Sequence, residues 1–115
     1  MNDDCIFCKI AEGQIPAKIE YQDEDILVFH DITPQAPLHL LIIPKKHITN
    51  ANEIREENAG IISKIFTEIP KLAFQFGVNE KGYRIVNNCG KDGGQTVFHL
   101  HFHMLAGRHL AWPPG

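Results

Sequence analysis

This sequence predicts an α+β domain with a largely antiparallel sheet, and three observations carry the expectation. Strand-like apolar runs lie on both sides of one long helical pattern, without the repeating strand-helix alternation that a doubly wound α/β sheet requires. The chain has 115 residues, 43% of them hydrophobic and 22% charged, a composition that suits one core and argues against disorder or a fibre. No apolar run approaches the roughly 20 residues of a membrane span, and the longest is only strand-length. Residues 1–115 are therefore expected to form a single domain.

Residues 5–13 predict a short helical turn, ended by Gly13 and kept short by Pro16. Residues 18–21 read as a short strand, followed by a turn through Asp23, Glu24 and Asp25. Residues 26–30 form a better strand, and 38–43 a buried central one that stops at Pro44. In the segment 50–77, Ile54, Ile61, Ile62, Ile65, Ile69, Leu72 and Phe76 recur at helical spacing and give one apolar stripe. Asn50 or Asn52 is the expected cap, with Glu53, Glu56 and Glu57 in the first turn, a bend at Pro70 and an end at Gly77. Two shorter helices are the alternative. Residues 83–87 and 97–105 complete the strands, with a glycine-containing loop at 88–96 between them.

Eleven Lys and Arg against fourteen Asp and Glu leave a formal net charge of −3, which provides no general footprint for a nucleic-acid polymer. A site for a single phosphate needs only a few donors and remains open. The start is acidic where a signal peptide would be basic, so a cytoplasmic protein without a membrane anchor is expected. Three cysteines without an export signal argue against a disulfide framework. Cys5 and Cys8 have the spacing of metal ligands or a redox pair, and Cys89 stands apart.

Three of the seven histidines fall at period two, at His99, His101 and His103. In a strand they share one face, while Leu100, Phe102 and Met104 turn to the other. Neutral imidazole can act as ligand, nucleophile or acid near neutral pH, so the row reads either as a metal site activating water or as a nucleophilic centre. The loop just upstream shifts the balance. Asn88, Gly93, Gly94, Gln95 and Thr96 offer an amide, approachable backbone N–H groups and a hydroxyl, donors suited to a phosphate.

At this point the chain resembles the histidine triad nucleotide-binding proteins. The stretch from Gly93 through Gln95, Val97, Phe98 and the three histidines to Leu105 is similar to the family signature. The likeness extends from Ile6 and Phe7 through Ile15 to Lys18 and His30 to Pro37, ending at Trp112-Pro113-Pro114-Gly115. That tail and the Pro44-Lys45-Lys46-His47 segment resemble the purine nucleoside phosphoramidase branch. The resemblance implies an antiparallel sheet of about five strands, one long helix and a short N-terminal helix. It also implies an enzyme that hydrolyses purine nucleoside 5′-phosphoramidates through a nucleotidyl-histidine intermediate.

Carried over to this chain, the resemblance makes His101 the nucleophile and His103 a phosphate contact that helps the amine leave. His39 is the family's fourth histidine; either it or a backbone carbonyl would orient His101. Asp31 matches a ribose-binding acid, though it also suits a turn cap before Pro34. Phe7, Ile10, Phe29, His30 and Ile32 resemble the purine-contacting set. Asn88, Gly94, Gln95, Thr96 and Val97 match positions near the phosphate and leaving group, and Trp112 a tail that reaches the site near a dimer interface. Part of the family binds structural zinc through residues matching Cys5, Cys8, His47 and His99, and a homodimer is implied. Cys89 departs from relatives that carry an acid there. Two other readings stay open: a nucleotide-binding regulatory protein, and a hydrolase of dinucleoside polyphosphates or other nucleotidyl esters.

Overall fold

In the computed structural model, which describes residues 4–115, eight elements follow one another along the chain. They are α1 (Ile6–Ala11), β1 (Ile19–Gln22), β2 (Ile26–His30), β3 (Leu38–Pro44), a 3-10 turn (Ala51–Glu53), α2 (Ala59–Gln75), β4 (Tyr83–Val86) and β5 (Phe102–Ala106). Residues 1–3, part of the acidic start, lie outside the described residues. The five strands make one antiparallel sheet in the order β1-β2-β3-β5-β4. This is the α+β architecture expected, with one long helix and one short one. Among the described residues no helix is long and apolar enough to cross a membrane.

β3 is buried along its whole length and, apart from His39, is apolar on both faces of the sheet. On one face Ile26, Val28, Leu38, Leu40, Ile42, Phe102 and Met104 pack with Ile65, Ile69, Leu72 and Ala73 of α2. On the other, Leu27, Phe29, Leu41 and Ile43 meet Phe7, Cys8 and Ile10 of α1. The period-two alternation along β2, β3 and β5 thus sorts residues into two cores. Lys64 ties α2 to the β1–β2 turn through Asp23 and Asp25, with N–O distances of 3.1 and 2.8 Å.

Most boundaries fall within two residues of the sequence expectation, and two differ by more. The helix begins at Ala59, and its N-cap is Asn58 rather than Asn50 or Asn52. Asn50 Oδ1 instead accepts from the Asn52 N–H and caps the 3-10 turn, while Glu53 Oε1 accepts from Thr49 N–H. Short polar side chains here satisfy the backbone in a non-helical path, so Ile54 reaches the core without belonging to the helix. Pro70 lies within α2, which continues to Gln75. Gly77 has φ +70 and, with Val78, donates back to the carbonyls of Phe74 and Ala73, closing a Schellman end. The second difference is β5, which starts at Phe102 and not at Val97. Only His103 of the histidine row is a strand residue.

Candidate active site and metal centre

Residues 99–101 run just ahead of β5, beyond its last pairings, Ile42 with Phe102 and Val86 with His103. They keep the alternation of a strand because other bonds replace the ladder. Leu100 N–H donates to Ile48 O at 2.6 Å, and Asn87 Nδ2 donates to His101 O at 2.8 Å. Leu100, Phe102 and Met104 fill the α2 core, and the histidines face the other way. The rings of His101 and His103 are 5.0 Å apart, and those of His39 and His103 5.1 Å. Phe7 meets His101 edge-on at 5.1 Å, so α1 walls this face of the sheet.

The hydrogen bonds assign the protons. His101 Nδ1–H donates to the His99 carbonyl at 2.7 Å, leaving a lone pair on Nε2. Of the two orienting groups expected for His101, the backbone carbonyl is therefore the one in place. His39 Nδ1 accepts from the Gln35 N–H at 3.0 Å, so its Nε2 carries the hydrogen and donates to His103 Nδ1 at 2.8 Å. His103 in turn carries its hydrogen on Nε2. A bare Nε2 on His101 thus stands beside an Nε2–H donor on His103. The Asp31 carboxylate lies 3.5 Å from the same His39 Nε2, beside the His39–His103 hydrogen bond.

Burial favours the neutral form of His103 and His39. It pushes His103 down to about 4, helped by the neighbouring His101 and His39 and opposed by Asp31. Burial lowers His39 as well, again opposed by Asp31. An unfolded His103 takes up a proton near 6.5, the folded one only near 4. Between those values the unfolded chain binds more protons. Stability is thus fully present above about pH 6.5 and falls as pH drops towards 4, with His39 acting in the same direction. Urea midpoints measured from pH 8 to 4 are expected to stay level and then decline below about 6.5, with a shallower decline in His103→Gln.

A second cluster is built around His99. Cys5 Sγ is 3.3 Å from His99 Nδ1, and Cys8 Sγ is 3.3 Å from His47 Nδ1 and 3.5 Å from His99 Nδ1. All four donor atoms lie within 4.8 Å of one another. Tetrahedral zinc with its usual S and N bond lengths has S–N edges of about 3.6 Å, so the donor set fits. His99 is 0% exposed and donates Nε2–H to the Pro44 carbonyl at 2.8 Å, which leaves Nδ1 bare for a metal. Burial pushes this imidazole down to about 4, as a neutral ligand requires. Two thiolates would balance the charge of a divalent ion.

The remaining expected residues divide. Phe7, Ile10 and Phe29 form a buried apolar wall on the histidine face, with Val97 packed against it. His30 is not brought there. Its ring points to the α2 side, where Nε2–H donates to Glu20 at 2.7 Å and the edge meets Phe76. Ile32 is 94% exposed. Asp31 Oδ1 accepts from both the N–H and the hydroxyl of Thr33, so the turn-cap reading of this residue is realised while Oδ2 faces His39.

Gln95 is buried and fully committed: Oε1 accepts from Gly90 N–H, and Nε2 donates to the carbonyls of Thr49 and Val97. It pins the glycine loop and has no spare donor for a phosphate. Asn88 is half-buried, and Gly94 has φ +82, which favours glycine. Thr96 is exposed beside Cys5, Ile6, Val97 and Phe98, around a surface cavity of about 320 Å³. Trp112 is 80% exposed; its tail is held by Arg84, which donates to the carbonyls of Leu110 and Ala111. Asn87 was not singled out by the sequence. Its only signal is its place directly after an apolar strand, next to an identical residue that drew the attention.

The HIT domain family matches residues 12–110. An uncharacterized HIT-like protein of Synechococcus elongatus is 49% identical over 115 residues, covering 100% of each chain. Among solved structures, a HIT family hydrolase from Legionella pneumophila superposes with a TM-score of 0.94 at 50% identity, over 96% of this chain and 99% of that one. A histidine triad protein from Clostridium difficile gives a TM-score of 0.93 at 47% identity, over 96% of each chain.

Proposed function

The chain belongs to the HIT domain family of histidine-triad hydrolases, and from that premise we propose that it hydrolyses purine nucleoside 5′-phosphoramidates. The observation that carries the reading is the proton arrangement at His101: Nδ1–H is spent on the His99 carbonyl, so Nε2 is a fixed, bare nucleophile. It attacks the α-phosphorus and displaces the amine, giving a nucleotidyl-histidine that water then hydrolyses to the nucleoside monophosphate. His103 gives its Nε2 proton to the leaving nitrogen and takes one back from the water that hydrolyses the adduct, and His39 holds His103 in the tautomer this needs.

The purine lies against Phe7, Ile10, Phe29 and the exposed Ile32, with the ribose hydroxyls on Asp31. Asn88, Gly94, Thr96 and Val97 border the phosphate, and Gln95 serves it indirectly by holding their loop. Zinc, where bound, takes Cys5, Cys8, His47 and His99 and has a structural part, fixing α1 against the sheet. A homodimer is part of the proposal, motivated by the free edge of β4 and the exposed Phe66 and Phe74 on α2. Sedimentation at tens of micromolar should return two chains, and a monomer there would reject the dimer. We propose the cytoplasm as its compartment, where thiols stay reduced and available as metal ligands.

A substrate panel tests the reading. Adenosine and guanosine phosphoramidates should be turned over with a higher kcat/KM than diadenosine polyphosphate or adenylylated lysine. Preference for the polyphosphate would overturn the assignment of the P–N bond.

A further inference from the structure

The geometry points to Asn87 as a positioning residue for the nucleophile, acting through the backbone carbonyl of His101. His101 is only 4% exposed, and it lies beyond the point where β5 stops pairing with β4 and β3. Its carbonyl therefore needs a donor that the strand ladder does not supply. Asn87 Nδ2 provides one at 2.8 Å. Asn87 follows the last residue of β4 directly, so a short side chain on a rigid strand end reaches across to the neighbouring segment.

The consequence is a clamp on both sides of one residue. His99 O holds the His101 ring at Nδ1, and Asn87 holds the His101 backbone. Leu100 N–H, bound to Ile48 O, fixes the peptide between them. None of the three contacts touches Nε2 itself, but together they set its direction. Without the amide the carbonyl is left unpaired in a buried place, and the segment must turn or admit water to satisfy it. A displacement of about 1 Å at a nucleophile is enough to cost roughly a hundredfold in rate.

The assignment of a catalytic effect rests on the reading of His101 as nucleophile, so the test has a second arm that does not. Asn87→Ala, Asn87→Asp and Asn87→Gln are compared with the wild type for kcat, KM and thermal stability. Long-range nitrogen-proton NMR reads the tautomer and environment of the His101 imidazole. The expected result is a fall in kcat of roughly 10–100-fold in Asn87→Ala, with KM within about threefold. Asn87→Asp, which turns an acceptor towards the carbonyl, should be at least as poor, and Asn87→Gln should recover part of the rate by restoring a donor. The His101 resonances should shift in Asn87→Ala and Asn87→Asp. Unchanged kcat with unchanged His101 resonances would overturn the assignment, as would a loss of rate in proportion to melting temperature across all three variants, Gln included. A wild type without phosphoramidate turnover would sink the proposed function instead, and the His101 resonances alone would then decide the role of Asn87.

Discussion

Alanine at position 101 is expected to lower turnover by about 10⁴–10⁶-fold while leaving nucleotide affinity within a few fold. The magnitude follows from the role. On the proposed mechanism, removal of His101 takes away the atom that forms the covalent bond, and no neighbour replaces it. His103 Nδ1 is engaged by His39, and its Nε2 carries a hydrogen; His99 Nδ1 faces the two cysteine sulfurs. Each of the other imidazoles is thus in the wrong tautomer or the wrong direction for attack. Binding should be preserved because the residues proposed to hold the purine and ribose belong to other elements, α1, β2 and the turn after β2. The check is a pair of measurements on the same protein, steady-state turnover and calorimetric binding of the nucleoside monophosphate. Loss of both together would mean that the substitution damaged the fold and not the chemistry.

The second large effect is expected at Cys8. Cys8→Ser should abolish zinc retention and lower the melting temperature by roughly 10–20 °C. A site saturated about a thousandfold above its dissociation constant contributes about 4.1 kcal/mol to the folded state, all of which is lost with the metal. Cys8 is buried in α1 and lies 3.3 and 3.5 Å from His47 and His99, so three segments separate when the site opens. Turnover should fall as well, because the carbonyl that orients His101 belongs to His99, one of the four donors. Elemental analysis of protein purified without added metal should find close to one zinc per chain. A value near zero in the wild type, with Cys8→Ser as stable as its parent, would remove zinc from the account.

The strands at the centre of the sheet were the most legible part of the fold. β2 has its expected bounds, and β3 differs only by including Pro44, because alternation and a proline stop act locally there. The start of α2 was not legible. Asn50, Glu53 and Asn58 carry the residue types of a helix cap and first turn, yet their side chains bind backbone groups of the 49–58 segment. The histidine row was read on a longer strand than exists. Its alternation survived because Leu100 and Phe102 still need the α2 core, and that requirement does not depend on ladder hydrogen bonds.

The candidate site was legible where residue type alone restricts chemistry. The four Cys and His residues expected to hold zinc do meet, across a separation of 94 positions between Cys5 and His99. The His30 ring lies away from the other expected purine contacts because its neighbours Phe29 and Asp31 both turn towards the histidine side, and period two sends it the other way. Gln95 looked like a phosphate donor by type, but a buried amide must satisfy its own polar atoms first, and the loop consumes them. Asn87 carried no motif. Its function depends on where β5 stops pairing, a fact of tertiary register that no local pattern records.

The covalent step at His101 is the central claim, and trapping the intermediate tests it most directly. A slowly hydrolysed nucleoside phosphoramidate is mixed with the protein, the reaction is quenched within the first turnover, and the digest is analysed by mass spectrometry. The account predicts a nucleoside monophosphate adduct on the peptide containing His101, located on that residue by fragmentation and missing from His101→Ala. A burst of released amine with no adduct on that peptide, or near-native turnover in His101→Ala, would contradict it and leave direct attack by water as the mechanism.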